Sequence, residues 1–119
     1  MKERDIDIVS IVGGPLCLSS DDGAKVHDAI VAALKKGEKV RLSFRAVEDL
    51  TSAFLNAAIG QLYGEFDEEE LRNRMLPPVN TSSADLSLLK RVVDRAKEFF
   101  KNPERQRQIM RDILGEQDE

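Results

Sequence analysis

Two hydroxyl side chains, Thr51 and Ser52, stand where an alternating strand pattern gives way to a helical one. A hydroxyl group at the start of a helix either caps the helix by accepting a backbone N–H or stays free to receive a phosphate. Capping preferences favour Ser52 as the N-cap of the following helix. The alternative is phosphorylation of Ser52 or of Thr51, and the sequence by itself leaves that alternative open.

Nucleophilic catalysis would require His27, the sole histidine, beside a serine or a cysteine. The sequence has no Gly-x-Ser-x-Gly turn, and Cys17 falls within a short predicted strand. We therefore expect His27 to be a partly exposed helix residue and Cys17 to be a buried small apolar residue. A single cysteine also excludes an internal disulfide and a multi-thiolate zinc site. Neither a metal nor a cofactor is expected.

Three further groups of residues have simpler explanations than catalysis or ligand binding. Gly13–Gly14 resembles an anion-binding turn, but no Gly-Lys-Ser/Thr follows it, so a plain turn is favoured. Binding of a nucleotide or another small ligand at this turn is the less favoured hypothesis. The acidic pairs Asp21–Asp22 and Glu48–Asp49 precede predicted helices, where negative charge is stabilising. The acidic run 65–70 lacks the alternating carboxylates of a calcium loop and indicates a solvated loop or a helix start.

Composition limits the class of protein. The 119 residues suffice for one domain, and a net charge of −4 argues against binding to a nucleic-acid backbone. The longest uncharged stretch of membrane character, residues 53–63, is too short to cross a bilayer. The sequence opens with charged residues where a secretory signal would be apolar. We therefore expect a cytoplasmic protein without a membrane partner.

Strand and helix patterns alternate along the first half of the chain, which predicts a layered α/β domain. A β-branched run over 5–12 predicts a strand, and the reversal at Gly13–Gly14 predicts a hairpin with a short strand at 16–18. Ser19 and Asp22 have capping-box spacing for a helix that ends near Gly37. Apolar and polar residues then alternate over 40–45, which predicts the clearest strand.

The second half predicts a helix from Thr51 or Ser52 to Gly64 and an edge strand within 74–80. Ser82 is then the predicted cap of a long amphipathic helix that continues to Phe100. A last short helix is predicted from Pro103. Its apolar stripe either folds back onto the domain or forms a dimer or partner surface, and it comprises Ile109, Met110, Ile113 and Leu114.

The segment from Val40 to Phe66 resembles the signature of STAS-like domains of unknown function, relatives of the anti-sigma factor antagonists. The shared features are a strand, a following valine, the pair Thr51–Ser52, a phenylalanine opening a helix and a glycine near its end. Gly-Gly-Pro-Leu at 13–16, Lys-Lys-Gly at 35–37 and Asn80 also fit. The resemblance implies a small mixed sheet of about four strands packed against helices. It implies a domain over residues 1–102, with 103–119 as an additional C-terminal helix and polar tail.

In the anti-sigma antagonists, the helix after the central strand presents a serine that a dedicated kinase phosphorylates, and the phosphate blocks docking. Alignment with those relatives places Ala53 at the usual acceptor position, with Ser52 and Thr51 as the neighbouring hydroxyls. The resemblance thus implies a non-enzymatic signalling module. It implies a partner surface formed by Thr51, Ser52, Ala53, Phe54 and Asn56.

The partner that this resemblance implies is another protein, a histidine-kinase-like ATPase that acts as a serine kinase or anti-factor. Neither a nucleic acid nor a cofactor is expected. The alternative is a structural subunit without a phosphoswitch, a homodimer or a component of a larger complex, assembled through the last helix.

Overall fold

Short parallel strands and five α-helices make up the fold, and the computed structural model describes residues 1–101. The elements, in chain order, are β1 (Glu3–Asp7), α1 (Ile8–Val12), β2 (Leu16–Cys17), α2 (Ser20–Lys35), β3 (Lys39–Ser43), β4 (Asp49–Leu50), α3 (Ser52–Ala58), a 3₁₀ helix (Gly60–Gly64), α4 (Glu68–Arg74) and α5 (Ser83–Lys101). The helix predicted from Pro103, the domain boundary at residue 102 and the polar tail lie outside the described residues. None of the described helices has both the length and the apolar character that a membrane span requires.

Strand β3 confirms the predicted alternation, since Val40 and Leu42 are buried and the residues between them are partly exposed. It has a neighbouring segment on each side. On one side it pairs in parallel with β1, in a register from Glu3↔Lys39 to Asp7↔Ser43. On the other side it forms parallel bridges with Met75 and Val79. Pro77 and Pro78 separate these two bridges, and because proline has no N–H the segment cannot form a continuous ladder. The predicted edge strand is therefore reduced to two points of contact.

Strands β2 and β4 form a separate parallel pair, with Leu16 opposite Asp49 and Cys17 opposite Leu50. Within residues 1–101, the strands thus form two small two-stranded units, and the expected sheet of about four strands is not observed. The predicted hairpin is wrong as well, since β2 pairs with β4 and β1 pairs with β3.

The predicted strand over 5–12 is half right. Its first residues belong to β1, but Ile8–Val12 forms the short helix α1 despite its β-branched composition. Gly13 ends that helix in the left-handed conformation, with φ at 93°, and donates its N–H to the Val9 carbonyl over 2.8 Å. A glycine suits this position because it adopts positive φ without steric cost. Gly13 is therefore a helix terminator and not part of a hairpin turn.

Helix starts are where local prediction succeeds. The Ser19 hydroxyl accepts the Asp22 amide over 3.1 Å, and the Ser82 hydroxyl accepts the Asp85 amide over 3.1 Å. Both capping interactions were predicted, and α2 and α5 begin directly after them. The acidic run also proves to contain a helix start, because α4 begins at Glu68.

Polar contacts join the end of α2 to its neighbours. Glu38 is buried, and its carboxylate accepts two hydrogen bonds from the Arg4 guanidinium, each 3.0 Å long. This hydrogen bonding holds the pKa of Glu38 below its ordinary value. Arg74 of α4 donates to the carbonyls of Leu34 and Glu38 and so satisfies acceptors at the end of α2. These bonds fix both β1 and α4 relative to α2.

The core lies between the β3 layer and the helices α2 and α3. Its largest fully buried side chains include Phe54 and Leu55 of α3, Ile30 of α2 and Val40 of β3. Helices α2 and α3 are in close contact at Gly23, where an added Cβ would meet the Phe54 carbonyl and lie 2.9 Å from the Ala57 Cβ. Glycine is thus required for close packing at this position, and it sets the distance between the two helices.

We expect Gly23→Ala to destabilise the domain by about 1–3 kcal/mol, because the new methyl group must push α3 away from α2. Gly14→Ala is the matched control. A Cβ at Gly14 meets no atom within 4 Å, so we expect a change within about 0.5 kcal/mol. Urea unfolding followed by circular dichroism measures both. Equal stabilities for the two variants would show that the α2–α3 distance is not limited at Gly23.

Candidate functional site

Thr51 connects three parts of the chain at the corner where β4 leads into α3. Its hydroxyl donates to the Leu18 carbonyl over 2.7 Å and accepts the Phe54 amide over 3.1 Å. Its own amide donates to the Cys17 carbonyl over 3.2 Å. Thr51 is therefore the N-cap of α3, and the prediction that Ser52 fills this role is wrong. The contact with Leu18 crosses between distant parts of the chain and has no local sequence signal.

Ser52 follows the cap and is exposed. Within residues 1–101 its hydroxyl makes no hydrogen bond, since the capping function is already performed by Thr51. Ala53 and Asn56 are exposed as well, and Asn56 lies one helical turn beyond Ser52. Ser52, Ala53 and Asn56 thus form one solvent-facing strip, which we call the α3 surface.

Phe54 differs from its neighbours because its side chain is fully buried, with 0% exposure. It packs in the core together with Leu55 and Ala58. The prediction that Phe54 belongs to the partner surface is therefore wrong. Phe54 anchors the helix beneath the α3 surface, and its side chain is not available to a partner.

A groove of about 280 Å³ borders the α3 surface. Its second wall is α5, which contributes Val92 and Arg95. Arg95 is the one charged residue among those that line the groove, and it forms no ion pair with any other residue that the structure describes. Sequence reasoning missed both α5 residues, since nothing local in the sequence reports which face of α5 turns toward α3.

Cys17 and His27, the two residues considered for nucleophilic catalysis, are both mostly buried. Cys17 is fully buried, and burial raises the pKa of its thiol, with smaller contributions from Asp22 and Asp85. The Nε2 atom of His27 lies 3.0 Å from the Glu65 carboxylate, and the histidine side chain is 14% exposed. Among residues 1–101 there is also no group of three or more His, Cys, Asp or Glu residues arranged to hold a metal ion.

We expect Thr51→Ala to lower the free energy of unfolding by about 1–2 kcal/mol, because the Phe54 amide loses its cap and the Leu18 carbonyl loses its donor. Thr51→Ser retains the hydroxyl and should cost about 0.5 kcal/mol or less. Ser52→Ala should be nearly neutral, within about 0.5 kcal/mol. Chemical denaturation of the three variants measures these differences. If Ser52→Ala proves to be the most destabilising substitution, Thr51 is not the cap.

Comparison with known proteins bears on this corner directly. A family model described as a STAS-like domain of unknown function (DUF4325) matches residues 22–85. The comparison with curated proteins gave no match, and the comparison with solved structures gave none either. The matched segment runs from the first turn of α2 to the first turn of α5 and covers more than half of the chain, including the α3 surface. The chain therefore belongs to the family of STAS-like domains of unknown function.

Proposed function

We propose that this domain is a non-enzymatic signalling module that binds another protein through the α3 surface and the adjoining groove. The observation that carries the proposal is the contrast at the start of α3. Thr51 is held by its hydrogen bonds, and Phe54 is buried in the core. Ser52, Ala53 and Asn56, which lie close to them along the chain, face solvent.

This arrangement suits docking for an energetic reason. Binding costs free energy when loops and side chains become ordered in the complex. Here the backbone is already held by the hydrogen bonds of Thr51, and the exposed residues Ser52 and Ala53 have short side chains with little rotamer freedom to lose. A partner backbone can approach such small residues closely. Arg95 adds one charge that favours an acidic group on the partner.

We propose no catalytic role, because neither Cys17 nor His27 is suited to one. A buried thiol with a raised pKa is a weak nucleophile, because the thiolate is the reactive form. His27 lies against Glu65 and is mostly covered. We propose instead that a partner protein carries out the chemistry, with this domain as its substrate.

The proposed partner is a histidine-kinase-like ATPase with serine kinase or anti-factor activity, in keeping with the resemblance to the anti-sigma antagonists. Ser52 is the proposed phosphoacceptor. The Thr51 hydroxyl is engaged both as donor and as acceptor, whereas the Ser52 hydroxyl is exposed and adjoins the groove. A phosphate there adds negative charge and bulk beside the docking groove, which would release a bound partner.

Phosphorylation can be tested with the full chain, ATP and the histidine-kinase-like ATPases of the source genome. We expect one of them to add a single phosphate, which intact-mass and peptide mass spectrometry would place on Ser52. Ser52→Ala should abolish the modification, because Thr51 cannot give up its hydroxyl without losing its hydrogen bonds.

Ser83→Ala is the matched control, since Ser83 is also exposed and also the first residue of a helix. This variant should be modified as well as the wild type. A phosphate found on Thr51, or an unmodified chain with every such ATPase, would contradict the proposed phosphoswitch.

A further inference from the structure

The groove beside the α3 surface brings together a hydroxyl group and a cation from different helices. Ser52 is the first residue of α3, and Arg95 lies in the second half of α5. The two residues are far apart in the chain, so only the packing of α5 beside α3 places them on one groove. The other lining residues, Ala53, Asn56 and Val92, carry no charge. Any anion within the groove therefore has Arg95 as its counterion.

The Arg95 guanidinium is available to such an anion. Arg95 is exposed, and no carboxylate among residues 1–101 lies within 4.0 Å of it. Two carboxylates follow or precede it closely on α5. Asp94 lies 4.0 Å from the Lys90 ammonium, and no ion pair joins Glu98 to Arg95. Arg95 can therefore bind an added anion without giving up an ion pair to another described residue.

A phosphate on Ser52 would be an anion of matching chemistry. A phosphoserine carries a charge of about −1.5 to −2 at neutral pH and three strong acceptor oxygens. The guanidinium offers its N–H groups in a planar fork that fits phosphate oxygens, and two parallel hydrogen bonds can form at once. The phosphate lengthens the Ser52 side chain, and the long stem of Arg95 lets its guanidinium turn across the groove.

We propose that Arg95 binds the phosphate of phosphorylated Ser52 across the groove, an inference that rests on the proposed phosphorylation of Ser52. This ion pair would join α3 to α5 and close the groove between them. It would also engage the cation that in the unmodified domain favours an acidic group on the partner. Release of the partner then results from competition for Arg95 in addition to the bulk of the phosphate.

Other charges near the corner act on the same phosphate. Arg91, one turn before Arg95 on α5, is exposed but does not line the groove. The acidic side chains of this region come from α2, β4 and α5, and they are Asp22, Asp49, Asp85 and Glu98. These charges remain the same when Arg95 alone is changed. A comparison of variants at Arg95 therefore isolates the proposed contact.

Phosphorus NMR of the full chain, with phosphoserine incorporated genetically at position 52, tests the contact without a kinase or a partner. A pH titration of the ³¹P signal gives the pKa of the second ionisation, which is about 6 for a free phosphoserine side chain. A cation close to the phosphate favours its doubly charged form and lowers this pKa. We therefore expect Arg95→Gln to raise the pKa of the phosphate by about 0.5 or more.

Arg91→Gln is the matched control, because it removes the same charge from an exposed position on the same helix. This substitution should raise the pKa of the phosphate by less than half as much. The Nε–H signal of Arg95, identified by its loss in Arg95→Gln, should also move when position 52 carries the phosphate. Backbone amide signals of β1 and β3 report whether each variant is folded.

The same phosphate pKa with and without Arg95 would overturn the proposal. An equal rise in Arg91→Gln would overturn it too, since the phosphate would then respond to the general charge of α5. If Arg95→Gln unfolds, an unmoved Nε–H signal in the phosphorylated wild-type chain has the same meaning. Failure of every ATPase to modify Ser52 would instead contradict the proposed function, and it would leave this measurement unaffected.

Discussion

The exposed corner of this domain depends on the two hydrogen bonds of the Thr51 hydroxyl. One ends the pair β2–β4 by binding the Leu18 carbonyl, and the other starts α3 by capping the Phe54 amide. Because both partners of this hydroxyl are backbone groups, the turn into α3 has one defined geometry. Phe54 then enters the core while Ser52 and Ala53 remain outside. Thr51 therefore caps the helix, whereas its neighbour Ser52 stays exposed to solvent.

Helix α5 links this corner to the rest of the molecule. One of its flanks faces α3 and supplies Val92 and Arg95 to the groove, and the other lines an apolar cavity beside β3. Buried residues of α5, Val92 and Ala96, hold the helix between these two openings. The groove and the cavity therefore share one helix, with Val92 lining the groove and Val93 lining the cavity.

Sequence reasoning succeeded where structure is local and failed where it depends on distant contacts. The caps at Ser19 and Ser82 were predictable because hydroxyl and amide are three residues apart. The parallel pairing of β2 with β4 was not predictable, because register between separated strands leaves no local pattern. The helix Ile8–Val12 was missed because its β-branched residues favour a strand, a preference that tertiary packing overrides here. The site behaved likewise. Exposure of Ser52 and Ala53 was expected, and the helical spacing of Phe54, Leu55 and Ala58 already indicates a buried face. The contribution of Arg95 to the groove depends on tertiary packing and was missed.

Site-specific photo-crosslinking in cells that produce the natural protein tests the docking role of the corner most directly. A benzophenone amino acid placed at Ala53 should form one dominant adduct with a second protein, which mass spectrometry then identifies. The same group placed at Asp28, an exposed position in the middle of α2, should not form that adduct. Equal yields from both positions, or no adduct from Ala53, would contradict the account of this corner as a protein-docking surface.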